Sequence, residues 1–205
     1  KDVTDHDFAF FKSNYSKLIT KKELSDSIPQ IRIPNYAYRN LATTLRFENM
    51  SKEWGLNESS FSAGAAYADL DNDGDLDYIV NNINDIAFVY QNNSEKFQPN
   101  NFLDIHFKGV DGNRFGIGAV ARLYYDNGKI QVAENSPYRG YLSTMDASLH
   151  FGLGAISVVD SILIEWPGGK QQTLIHPAIN KTIIADIKKA SVVAAREISP
   201  TVLFN

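Results

Sequence analysis

The chain has 205 residues, 43% of them hydrophobic, enough to bury a sizeable core, and that length predicts two small units rather than one. Its 20 basic and 24 acidic residues leave a net charge of −4 with no basic stripe to track phosphates, which argues against a nucleic-acid partner. No apolar run is long enough to cross a bilayer, and zero cysteines exclude a disulfide framework, thiolate metal ligands and a thiol nucleophile.

Residues 1–34 place Phe8, Phe11, Tyr15, Leu18 and Ile19 at helical spacings and predict one or two short N-terminal helices ending before Pro29. Residues 35–94 then read as short strands, with candidates at AYRNLATTLRFENMS (37–51), GAAYADL (64–70), LDYIVNN (76–82) and DIAFVYQNN (85–93). The polar stretch from Asn92 to Asn100 is the best linker candidate.

Between the second and third of these strands lies DLDNDGDLD, residues 69–77, with five carboxylates in nine residues. Such crowding repels itself unless a cation sits in the middle. Asp69, Asp71, Asp73 and Asp77 fall at positions 1, 3, 5 and 9, and Gly74 at position 6 can take the positive φ of a tight turn around an ion. Asp75, at position 7, would supply its backbone carbonyl. Every candidate ligand is a hard oxygen, so Ca²⁺ is the expected ion and zinc or copper is not. An EF-hand is excluded because position 12 is Val80 where a bidentate Glu is needed. The alternative is a metal-free turn held by local Asx hydrogen bonds.

FSAGAAYADLDNDGDLDYIVNN resembles one FG-GAP or VCBS repeat, the calcium-binding blade unit of integrin-like β-propellers. A propeller needs about four to eight blades of four strands, and this chain shows one copy of the loop, so the resemblance implies a piece of a larger protein.

From Asn101 to about Ile187 seven short strands follow: FLDIHFKG, GIGAVARLYYDNG, KIQVAENS, SLHFGLG, VVDSILIEWPGG, KQQTLIHP and KTIIADIK. Asp126-Asn127-Gly128 and Pro167-Gly168-Gly169 are hairpin signals, and Ile162, Ile164 and Trp166 alternate onto one face. The expected fold is therefore mainly β, with an antiparallel sandwich or small barrel over 101–187 and a tail or linker over 188–205. NRFGIGA (113–119), ENSPYRGYLSTMDASLHFGLG (134–154) and VDSILIEWPGGKQQ (159–172) resemble the ASPIC/UnbV domain, which follows FG-GAP repeats in bacterial surface proteins and in the cartilage acidic protein group. The pairing implies an extracellular or cell-surface location, outer-membrane associated or periplasm-facing, and the Bacteroidetes as a source.

Glu134, Ser136, Arg139, Ser143, Asp146 and His150 form a second polar cluster. It reads either as a ligand site, with Arg139 on a carboxylate or sugar hydroxyls and Glu134 and Asp146 as acceptors, or as a brace in which Arg139 pairs with Glu134 or Asp146 and His150 caps a strand as a hydrogen-bonded, half-buried residue. His6, His106, His150 and His176 stand far apart and read as isolated residues. No G-x-S-x-G, P-loop, H-E-x-x-H or dinucleotide-binding motif is present. The chain thus reads as a calcium-stabilised, non-catalytic surface module contacting a glycan or protein ligand and other domains of its parent. The alternative is a carbohydrate-active accessory or hydrolytic domain using Glu134 and Asp146, which would need their carboxyls roughly 5–9.5 Å apart in an open cleft.

Overall fold

The computed structural model describes residues 31–41 and 45–192. The chain divides into two units, Lys1–Phe61 and Ser62–Asn205. Most of the expected helical segment over 1–34 lies outside the described residues. Its described end is extended: strand β1 (Ile33–Pro34) carries a proline that steers the residue before it away from helical backbone. No α-helix occurs among the described residues, so none there is long and apolar enough to cross a membrane.

In the first unit, β2 (Tyr38–Asn40) and β3 (Phe47–Asn49) form an antiparallel hairpin where one long strand was expected over 37–51. Ser51 ties its base, accepting from the Ala37 N–H (2.8 Å) and donating to Asn49 Oδ1 (2.6 Å). Strand β1 pairs with β4 (Ser59–Ser60) in a separate two-stranded sheet.

The second unit opens with an antiparallel sheet of β5 (Ser62–Ala68), β6 (Asp77–Asn82) and β7 (Phe88–Tyr90). It therefore has three strands, and the fourth expected strand forms its own hairpin in the first unit. All seven later strands form: β8 (Asn101–Lys108), β9 (Val120–Tyr125), β10 (Lys129–Glu134), β11 (Ser148–Gly154), β12 (Val159–Glu165), β13 (Lys170–Ile175) and β14 (Thr182–Asp186), followed by a short β15 (Ser191–Val192). They assemble as two sheets, β10-β9-β12-β13-β15 and β11-β8-β14. The sheets share one core in which Leu103, Ile105, Leu123, Ile162 and Ile164 are fully buried. Each such side chain contributes roughly 1.5–3 kcal/mol by leaving water.

This is a sandwich and not a closed barrel, and it is not wholly antiparallel. Strand β14 runs parallel to β8, Thr182 opposite Asp104 and Asp186 opposite Lys108. Alternation in β14 shows which side chains face inward but carries nothing about which edge the strand joins or in which direction.

The segment NRFGIGA folds as a turn clamped by two asparagines. Asn113 accepts from the Ile117 N–H (2.8 Å) and donates to the Ile117 carbonyl (2.9 Å). Asn135, 1% exposed, donates to the carbonyls of Phe115 (2.7 Å) and Gly116 (3.1 Å). Gly116 has a φ of 61°, and a Cβ there would come within 2.8 Å of Phe107 and 2.9 Å of Trp166. The turn thus lies directly on the edge-to-face pair of Phe107 and Trp166, whose ring centroids are 5.5 Å apart.

Asn135→Ala should therefore leave the Phe115 carbonyl without its partner, while the Gly116 carbonyl keeps the Ala119 N–H (3.0 Å), and cost roughly 1–3 kcal/mol in urea unfolding. A variant as stable as the parent would show that the turn does not need this side chain.

Candidate functional site

Two features of the second unit carry chemistry: the acidic loop between β5 and β6, and a cleft beside it. In the loop, Asn72 and Gly74 take left-handed backbone (φ 62° and 93°) and fold the chain back on itself. Asp69 accepts from the N–H groups of Asp73 (3.2 Å) and Gly74 (3.0 Å), and Asp73 accepts from the N–H of Asp75 (2.9 Å). The turn places one carboxylate oxygen each of Asp69, Asp71 and Asp73 within 4.8 Å of one another. Two ligands of one Ca²⁺ stand at most about 4.6–5.2 Å apart, twice a Ca–O distance, so three oxygens this close are compatible with that ion.

The electrostatics point the same way. The Asp75 N–H pulls the Asp73 carboxyl down, but desolvation and the charges of Asp71, Asp75 and Asp69 outweigh it, and the group sits above the ordinary carboxylate value. The loop carries negative charge that its own amides do not balance.

The remaining loop carboxylates are built into the fold. Asp77, 2% exposed, accepts from the N–H groups of Leu70 (3.0 Å) and Asn92 (2.8 Å). Asp75, 4% exposed, accepts from the Ser94 hydroxyl (2.7 Å) and the Glu95 N–H (3.1 Å). The stretch read as a linker is thus fastened to the loop through the 3₁₀ turn Ser94–Lys96. It also adds Glu95, whose carboxylate groups with Asp73 and Asp75 within 4.8 Å and whose Oε2 is buried without a hydrogen-bond partner. Gln91 donates to Asp71 (2.7 Å). Sequence reading missed Gln91, Ser94 and Glu95 because they lie 14 or more residues beyond the motif and join it only by folding.

Gly74 is fixed for a further reason: a Cβ at this position would overlap the ring of Phe102 on β8. The acidic loop is therefore seated on the first strand of the sandwich.

The second cluster lines a cleft of about 560 Å³ that holds Glu134, Arg139, Asp146 and His150. Ser136 is there as well, whereas Ser143 is not; its hydroxyl accepts from the Ala65 N–H (3.0 Å) and donates to the Tyr141 carbonyl (2.8 Å), bracing β5 against the 139–145 loop. The expected pairing of Arg139 with Glu134 or Asp146 does not form. Arg139 donates to the Tyr138 carbonyl (3.2 Å), and no carboxylate among the described residues lies within 4 Å of it. Asp146 instead stands 3.9 Å from His106, both side chains more than half exposed.

His150 is half-buried and hydrogen-bonded, its Nδ1 2.8 Å from Asp104 Oδ1. The pairing follows from register, since β11 and β8 place His150 opposite Asp104 and Ser148 opposite His106. His106 and His150 are thus neighbours in one cleft, not isolated residues. The signal available in the sequence was the alternation of FLDIHFK, which turns Asp104 and His106 away from the core together. Asp69 and Asn72 of the acidic loop line the same cleft.

No curated protein matches the chain in sequence. Residues 109–192 match a family described as ASPIC and UnbV, and these carry Glu134, Arg139, Asp146 and His150 but neither the acidic loop nor β8.

Proposed function

We infer that the chain is a calcium-stabilised, non-catalytic binding module of a larger extracellular or cell-surface protein. The observation that carries this reading is the convergence of the Asp69, Asp71 and Asp73 carboxylates within 4.8 Å on an all-oxygen loop. The resemblance of residues 61–82 to an FG-GAP or VCBS repeat supports it, as does the ASPIC and UnbV match that follows. Calcium acts as a structural ion in this reading. Cancelling the repulsion of three carboxylates lets the loop keep its seat on Phe102, and the fastening of Asp75 and Asp77 to residues 92–95 spreads that order to the neighbouring turn.

Calorimetric titration with Ca²⁺ should show one site, abolished by Asp71→Ala and by Asp73→Ala. Normal binding by both variants would reduce the loop to a turn. Calcium at a hundredfold excess over Kd should raise unfolding free energy by about 2.7 kcal/mol in urea titrations; the same curve in EDTA and in calcium would count against a structural ion.

Gly74→Ala combines a positive φ with an overlap on Phe102. It should cost on the order of 1–3 kcal/mol of stability and weaken calcium binding at least tenfold. Parental calcium affinity in a folded Gly74→Ala protein would separate the loop's ion from its seat.

A further inference from the structure

The outer face of the smaller sheet presents polar side chains in fixed register. Across β11, β8 and β14 one row reads His150, Asp104, Thr182, and Ser148 stands beside His106 in the next. Neighbours within a row are roughly 5 Å apart. The first row is held still: His150 Nδ1 bonds Asp104 Oδ1 at 2.8 Å, and the Phe102 ring stacks on the imidazole with centroids 5.9 Å apart and planes 13° from parallel. That bond leaves His150 Nε2 and the second oxygen of Asp104 without a protein partner among the described residues. Both residues line the cleft of about 560 Å³, a volume within the usual range of roughly 300–1,000 Å³ for small-ligand sites.

The lining selects the ligand. Carboxylates from Asp69, Asp104, Glu134 and Asp146 against one guanidinium, Arg139, disfavour phosphates and polyanions. The apolar lining of Leu76, Val132, Met145 and Leu149 is mixed with hydroxyls, two imidazoles and a guanidinium without a carboxylate partner, a combination that suits an amphipathic ligand better than an acyl chain. The ligand that satisfies this mixture both donates to carboxylates and accepts from Arg139 and His150, and offers a C–H face to the partly exposed ring of Tyr67. Sugar hydroxyls and pyranose faces do all three. We propose that the cleft is a binding site for a neutral oligosaccharide, with Asp104, His150 and Arg139 holding its hydroxyls. The proposal rests on the binding-module reading but not on its metal, because Asp104 and His150 hold each other without an ion.

The test is calorimetry of the full chain in calcium-saturated buffer with cellohexaose, laminarihexaose, mannohexaose, xylohexaose and chitohexaose, beside oligogalacturonate and hexalysine. At least one neutral hexasaccharide should bind, with affinity lowered tenfold or more by Asp104→Asn and by Arg139→Gln in proteins that melt like the parent. In the unmodified protein, the imidazole signals of His150 and His106 should shift during the same titration while that of His176 stays, a readout that no misfolded variant can mimic. Binding of hexalysine or oligogalacturonate alone, binding of no hexasaccharide, or saccharide binding that leaves the His150 signal and both variants unaffected would overturn the proposal. Repeating the titration with Asp71→Ala separates the two readings: saccharide binding that persists there while calcium binding is lost supports the cleft on its own, and saccharide binding that vanishes with the ion overturns its independence from the metal.

Discussion

The alternation of β8 governs both the interior and the working surface of the second unit. Leu103, Ile105 and Phe107 point inward and are buried in the shared core, while Phe102, Asp104 and His106 point outward. Because side chains on a strand alternate with a period of two, the inward set cannot be kept and the outward set moved: a one-residue slip would bury Asp104 and His106 and expose three large apolar groups. The position of the Asp104–His150 pair, and the ring on which Gly74 sits, are consequences of core burial that no contact in the cleft has to supply.

The ASPIC and UnbV match gains a physical reading from this arrangement. Within the matched span, Asn113, Gly116 and Asn135 make hydrogen bonds to backbone or give room to Phe107 and Trp166. They specify a turn over a buried aromatic pair and have no part in the cleft. The match begins one residue beyond β8, although β8 is the central strand of its sheet. A folded unit and a sequence signature therefore have different boundaries here, and the chemistry straddles them.

Local patterns in the sequence identified local structure. The seven strands from Asn101 onward, the turns at Asp126-Asn127-Gly128 and Pro167-Gly168-Gly169, and the buried face of Ile162, Ile164 and Trp166 all form where alternation and turn chemistry place them. So does the tight acidic loop, whose Asp and Gly spacing is itself a local code. What escaped was non-local. The joining of Asp104 to His150 spans 46 residues, that of Asp75 to Ser94 spans 19, and the parallel seat of β14 spans about the whole domain. None of these has a periodic signature, because a polar residue facing outward looks the same in a sequence whether it meets water, a partner strand or a ligand. The hairpin at 38–49 was missed differently: its two halves were merged into one strand because the sequence between them, 41–46, has no glycine or proline.

The parallel strand β14 also sets an order of events for a growing chain. Strand β8 emerges early and β11 can pair with one of its edges once residue 154 is made, yet its other edge keeps a row of free N–H and C=O groups until Thr182–Asp186 arrives. Strands with an open edge are templates for pairing with other chains, and contacts between distant residues form slowly because loop closure must precede them. Strand β14 thus closes the open flank of β8, and synthesis must pass residue 186 before that protection exists.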